Sequence, residues 1–551
     1  MADATQPGAT GAIPAYQEHH VSASTDAASD ATLYRARRIH TLTSDAPDAL
    51  AVQGGRIVAT GQLSELRERF PRASVVDYGD SVIVPSFNDA HMHLMSAADE
   101  FLSVDLSWDV VRSLSEVKAK IRAQAEAVLA GTWIRGTRYD DAKMAEGRVL
   151  NRWDLDEVAP LHPVVVTQVA GHWAVVNSQA LELAGITEDS QNPPGGVLGR
   201  DGAGHLNGIL YEQALFELSR VVPPLDDEQR LHALTRALTN MHAAGLTSVS
   251  EAVCPAADFT LLREAERRGL LTGRVSVLLA AEGYDEVKSA GLTREPGSDF
   301  LKITGVKTFI DGAIGGRTCL MEQPFEGTSD DFGIQTRTED ELRETLRQVN
   351  GDGLRLCVHA NGDRAIRILL GLMEEHPHPE LHNRIEHCSI VTEDILARMK
   401  ALQAIAAPFG SYVRYHGGKL LEWYGQQRAS RMFAHRWFLD AGVAVAGSSD
   451  YPCGPYEPLL ALESCVTRRG ADGAPIGENQ RITSLEALRL YTVGAAYATG
   501  DDTCKGRLTP GYFADFVVLG DDPLTVDPSR LASIPVRATY VGGQRVWSSD
   551  G

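Results

Sequence analysis

The segment NDAHMH, residues 88–93, carries two histidines at i and i+2. In an extended strand such residues face the same side, so His91 and His93 offer two imidazoles together, a donor pair suited to a divalent cation such as zinc. In a chain with 17 histidines the pair is a weak signal by itself. Further candidates stand in GVKTFIDG (Lys307), CVHANGD (His359), RIEHC (His387) and GSSDYP (Asp450), each closing a short apolar run. Singly, each has a blander reading: a packed histidine, a turn-forming aspartate, a solvated lysine. Jointly they supply imidazole, carboxylate and amine groups at the ends of successive predicted strands, which is a metal-binding constellation.

The elements that must position these groups alternate strand and helix patterns. Candidate strands fall at 82–87, 246–251, 275–281, 302–310, 354–359, 383–388, 403–407 and 443–448. The β-branched run Val82–Val84 opens the first of them, leading into the His91–His93 segment. Most are followed by helical periodicity, as in DRAIRILLGLMEEH and TEDILARMKAL. The fold class is therefore α/β, a (β/α)8 TIM-like barrel, whose chemistry sits at the C-terminal ends of its strands. A doubly wound open sheet is the competitor, but no GxGxxG turn follows a first strand. The β-rich ends, 31–84 and 499–551, predict a small composite β-sandwich built from both termini, with the barrel spanning 85–498. The long gap after the first barrel strand predicts an inserted lid or subdomain over 131–217. Residues 1–30, poor in large apolar groups, read as a flexible tail or arm.

The chain has 551 residues, 43% hydrophobic and 23% charged, with a net charge of −21. The negative balance argues against nucleic acid or an anionic membrane as the main partner and says more about solubility than about substrate; the partner expected is a small-molecule substrate. Seven scattered cysteines without a CxxC pair fit a reducing compartment. The first residues show no signal-peptide pattern, and no apolar run is long enough to span a bilayer, so a cytoplasmic protein is expected.

The stretches VIVPSFNDAHMH, HWAVVNSQALELAGI, PPGGVLGRDGAGHLNGILYE, VKTFIDGAIGGRT, VHANGDRA, RIEHC and GSSDYP together resemble the amidohydrolase superfamily, and within it the amidohydrolase family 3 group of YtcJ-like metal-dependent hydrolases. The resemblance runs from about residue 50 to the C-terminus. It implies a metal-bearing barrel, one or two divalent ions with zinc the expected one, and ligands His91, His93, Lys307, His359, His387 and Asp450. It further implies Asp450 as the catalytic proton carrier and Lys307 as a carboxylated lysine bridging two metals. His172, Trp173, Asp311 and Tyr451 are expected to bind substrate. Packing of the insertion is the other reading of His172 and Trp173, and orientation of a metal ligand is the other reading of Asp311, shared with Asp363. Glu212 is a further pocket candidate or a helix start, and a homodimer is expected.

Formamide deformylases resemble this group, so the expected reaction is hydrolysis of a C–N bond in an N-substituted formamide or other N-acyl amine. Deamination of a cyclic or heteroaromatic amine is the second expectation, because the same ligands serve both reactions. A barrel that has lost catalysis and acts as an interaction protein is the third.

Overall fold

The computed structural model describes residues 31–550 apart from Ser44, Asp109 and Pro296; the tail expected over 1–30 lies outside the described residues. Eight parallel strands form one continuous sheet in chain order: Phe87–Met92, Leu246–Cys254, Arg274–Ala280, Leu301–Phe309, Arg355–Ala360, Arg384–His387, Ile405–Ala407 and Ala444–Val445. The last strand is short, and the barrel is closed beyond it by backbone hydrogen bonds. Ala90 N–H donates to the Gly447 carbonyl at 3.0 Å and Asp450 N–H to the His91 carbonyl at 2.8 Å. Gly447 is required at this seam, since a Cβ there would lie 2.4 Å from the Tyr491 ring. Helices cover the outside with apolar stripes. In Asp363–Glu375, Ile366, Leu369, Leu370 and Met373 recur at helical spacing and are buried against the strands.

Both ends of the chain build the second unit. A four-stranded sheet (Thr32–Arg35, Ala49–Gln53, Arg56–Gly61, Ser74–Asp77) and a five-stranded sheet ending in Gln544–Ser548 share an apolar core that includes Tyr34, Leu50, Ile83, Phe516 and Tyr540. The run Val82–Pro85 belongs here and not to the barrel. It pairs antiparallel with Phe516–Leu519 and parallel with Arg38–Ile39. The chain changes sheets at Ser86, whose N–H donates to Asp515 O at 3.2 Å, while the next N–H, of Phe87, donates to Gly245 O at 3.1 Å. The barrel thus begins at Phe87, and the expected strand 82–87 is two strands divided at that residue. A buried bidentate pair, Arg274 to Asp515 at 2.6 and 2.9 Å, ties the third barrel strand to the composite unit.

Between the first and second barrel strands lies a six-stranded sheet, in the order Gly196–Arg200, Leu206–Glu212, Trp173–Val176, Val164–Gln168, Ile134–Tyr139, Val104–Asp105. It starts upstream of the expected boundary at 131, because Val104–Asp105 pairs in parallel with Ile134–Tyr139. Apolar clusters fill both of its faces. Among the described residues no helix is long and apolar enough to cross a membrane.

Candidate metal centre

Asp450 is the hub of the strand-end cluster. One of its oxygens, Oδ1, lies 3.3 Å from His91 Nε2 and 3.2 Å from His93 Nε2, and Oδ2 lies 4.0 Å from His387 Nδ1. Each imidazole is aimed by a contact on its other side. His93 Nδ1–H donates to Ala252 O at 3.1 Å, His91 Nδ1–H donates to Glu386 Oε2, and His387 stacks on Phe409 with centroids 4.5 Å apart. Left-handed backbone at His387 (φ 67°) and Asp450 (φ 53°), unusual for residues with a Cβ, turns both side chains over the barrel mouth. Strict alternation would have sent His387 to the face opposite Glu386.

The charges compensate one another. Burial alone would raise the Asp450 carboxyl, but the His387 and His91 imidazoles hold it well below the usual carboxylate range. Burial disfavours a charged His91, yet Glu386 and Asp450 outweigh this and raise its pKa. Glu386 is in turn held low by Arg384 and His91 against the same burial.

These residues fit a divalent cation. Among the described residues His91, His93 and Asp450 form a group whose ligand atoms lie within 4.8 Å of one another. Two buried ring nitrogens of the cluster, His91 Nε2 and His387 Nδ1, lack a hydrogen-bond partner, and both face Asp450, at 3.3 and 4.0 Å. Imidazole and carboxylate donors suit zinc-type ions.

The remaining expected ligands line the adjoining wall. Lys307 is buried with its amine 4.0 Å from the Phe309 ring centroid. Burial pulls its pKa down to about 8, with Glu386 and Asp450 opposing. His359 neighbours His387 at 4.6 Å between ring centroids, but its Nε2 lies 3.0 Å from Gly312 O and 3.0 Å from Asn361 Nδ2. It is therefore tethered to the loop after the fourth strand and not to Asp450. Burial and the neighbouring His387, His172 and Lys307 charges push the His359 pKa well down.

The insertion delivers His172 to this wall, 5.0 Å from the His359 ring, with Nδ1–H donating to Glu212 at 2.9 Å. Thr318 also donates to Glu212, at 3.2 Å. Of the other three substrate candidates, Tyr451 and Asp311 adjoin the cluster: the Tyr451 carbonyl accepts from His93 N–H at 2.9 Å, and Asp311 Oδ1 lies 3.6 Å from His359 Nε2. Trp173 is buried in the insertion core against Tyr139 and Tyr211. The Tyr451 hydroxyl donates to Glu100 at 2.5 Å. Asp311 is fully buried, accepting from the N–H groups of Leu320, Asn361 and Gly362; burial raises its pKa to about 7.

Sequence reasoning overlooked Asp89, Arg384 and Glu386. Asp89 Oδ1 accepts from His91 N–H and Ser449 N–H, each at 3.1 Å, joining the two segments that carry His91 and Asp450. Its place two residues before His91 was the available signal. For Arg384 and Glu386 the signal was a charged pair at i and i+2 inside a strand expected to be buried on both faces.

A parallel barrel with imidazoles and a carboxylate gathered at its strand ends defines a barrel hydrolase with a cation-binding donor set. The amidohydrolase family model matches residues 74–547, and the chain belongs to that family. An imidazolonepropionase-like composite domain of bacteria matches residues 49–73. The chain is 28% identical over 517 residues to the putative amidohydrolase YtcJ of Bacillus subtilis (strain 168), covering 92% of this chain and 97% of that one. It is 30% identical over 513 residues to the N-substituted formamide deformylase of Arthrobacter pascens, covering 90% and 94%. Its fold is similar to that of an uncharacterized metal-dependent hydrolase from Pyrococcus horikoshii, with a TM-score of 0.75 and 25% identity over 90% of this chain and 99% of that one.

Proposed function

We propose that this chain is a metal-dependent amidohydrolase that cleaves the C–N bond of a small N-acyl amine, with N-substituted formamides as the first class to test. The observation that carries the reading is the convergence of His91 and His93 on one oxygen of Asp450, beside buried ring nitrogens with no partner. The substrate class is drawn from the similarity to the N-substituted formamide deformylase.

His91, His93, His387 and Asp450 would hold a divalent cation, zinc being the ion this donor set suits, and the cation would supply Lewis acidity that lowers the pKa of a water towards neutrality. Asp450, kept ionised by its imidazole neighbours, accepts a proton from the attacking water and hands it to the departing nitrogen. Water oxygen joins the acyl carbon, the C–N bond breaks, and a formamide gives formate and an amine. His172, braced by Glu212, faces the same space from the insertion and orients the acyl group. Lys307 would take up carbon dioxide as a carbamate, its neutral amine adding to the carbon with loss of a proton; its burial, which lowers its pKa to about 8, supports this reading. The buried unpaired cysteines accord with a reducing, cytoplasmic setting.

Metal analysis of the purified chain, paired with formate and amine release from a panel of N-substituted formamides, tests the reading. A chain that takes up no divalent cation, or a cation-loaded chain that releases ammonia from cyclic amines and no acid from N-acyl amines, would overturn it.

A further inference from the structure

Beneath the cluster runs a fully buried chain of charge. Arg384 meets Glu386 through two parallel contacts, Nε to Oε1 at 2.7 Å and Nη2 to Oε2 at 2.8 Å. Both side chains are fully shielded from solvent. The same Nη2 donates to Ala90 O at 2.6 Å, and Nη1 donates to Ala498 O at 3.3 Å. Glu386 then accepts from His91 Nδ1–H. Arg384 therefore spans the first barrel strand, the sixth, and the helix Ala495–Ala498, while Glu386 projects from the sixth strand onto the first ligand histidine.

Stability alone does not account for this arrangement. Removing two charges from water costs several kcal/mol per ion, and well-packed apolar residues of similar volume commonly serve a core as well or better. The pair instead lies one hydrogen bond from an imidazole whose other nitrogen faces Asp450 at 3.3 Å without a hydrogen-bond partner. A bidentate guanidinium holds a carboxylate in a fixed plane, and that carboxylate can be satisfied by His91 only if the ring proton is on Nδ1.

We propose that Glu386 is the positioning residue of the centre, its carboxylate locking His91 in the tautomer that presents a bare Nε2 lone pair, with Arg384 as the clamp that fixes the carboxylate. The proposal rests on the reading of the cluster as a metal centre. It adds a requirement that this reading lacks: cation affinity depends on two residues that do not touch the ion. Ring orientation by an outer carboxylate is the kind of support whose loss lowers metal affinity by about 10- to 100-fold.

The experiment reads tautomer and affinity separately. In the full zinc-loaded chain, ring-nitrogen NMR shifts assigned with His91→Asn are expected to place the His91 proton on Nδ1; a proton on Nε2 overturns the proposal. In Glu386→Gln, zinc affinity measured by competition with a chromophoric chelator is expected to fall by about 10- to 100-fold. Turnover lost at low zinc should return at high zinc, which a folding defect would not allow. Glu386→Asp keeps a charge beside Arg384 but draws the carboxylate back from His91, and should lose affinity too. Wild-type affinity in either variant, with an unchanged melting temperature, overturns the proposal. A wild-type chain that binds no zinc fails at the earlier step, refuting the metal-centre reading itself, so the two failures are distinct.

Discussion

His91 and His359 are both buried imidazoles at strand ends of one barrel, yet their surroundings are opposite in sign. His91 lies between two carboxylates, Glu386 and Asp450, which raise its pKa against the cost of burial. His359 lies among His387, His172 and Lys307, which add to burial in lowering its pKa, and its Nε2 is met by a neutral carbonyl and an amide. One half of the site is thus built with negative charge in place before any cation arrives. On the other side the nearest carboxylate to His359, Asp311, lies 3.6 Å from its Nε2 and is already engaged by three backbone N–H groups.

The comparison can be broken most forcefully at its shared carboxylate. Asp450→Asn is expected to lower kcat by about 10³-fold, in the range for loss of a general acid–base group, read as formate release; a variant that keeps its cation and near-full turnover would remove Asp450 from the reaction. On the neutral side, His172→Ala should lower kcat/KM by about 10²-fold, the scale of one lost polar contact to the reacting group. Its cation content should stay that of the wild type, since His172 is held by Glu212 and lies outside the group around Asp450. The asymmetry itself is tested by paired dialysis. His93→Gln should weaken uptake of the first cation equivalent by about 10-fold or more, whereas His359→Gln should leave that equivalent in place; equal losses would erase the distinction.

A pH-dependent effect on stability lies away from both halves. Burial lowers the pKa of His242 from 6.5 to about 4 and, with Arg468 nearby, that of His435 to about 3. Below pH 6.5 the unfolded chain binds protons that these folded imidazoles refuse, so stability falls as pH drops from 6.5 towards 4. Each contributes roughly 1.4 kcal/mol per pH unit in that window. His242→Asn and His435→Asn should each flatten the denaturant midpoint plotted against pH.

Much of this architecture was legible in the chain because its cues are local. The β-branched and apolar runs at 246–251, 275–281 and 302–310 lie in barrel strands, and helical stripes such as Ile366–Leu369–Leu370–Met373 face them. What remained hidden depends on distant partners. Val82–Val84 is an apolar run whatever sheet it joins, and only its pairing with Phe516–Leu519 assigns it to the composite unit. The short pair Val104–Asp105 shows too little pattern to announce an insertion strand. Asp450 could be foreseen as a ligand candidate, but the tethering of His359 to Gly312 and Asn361 follows from loop geometry, not residue type. Tyr451 and Asp311 carry pocket-like chemistry, and their contacts to Glu100 and to the backbone N–H groups of Leu320, Asn361 and Gly362 come from distant segments that residue type does not announce.

The antiparallel pairing of Val82–Pro85 with Phe516–Leu519 has a consequence for how the protein is made. Synthesis proceeds from the N-terminus, and domains tend to fold as they emerge. Here the strand immediately before Phe87 must wait for a partner that is made only with Phe516–Leu519. Until then Val82–Pro85 presents an unpaired apolar edge, the kind of surface that invites wrong pairing. The strand that carries His91 is therefore translated long before the strand that secures its foundation.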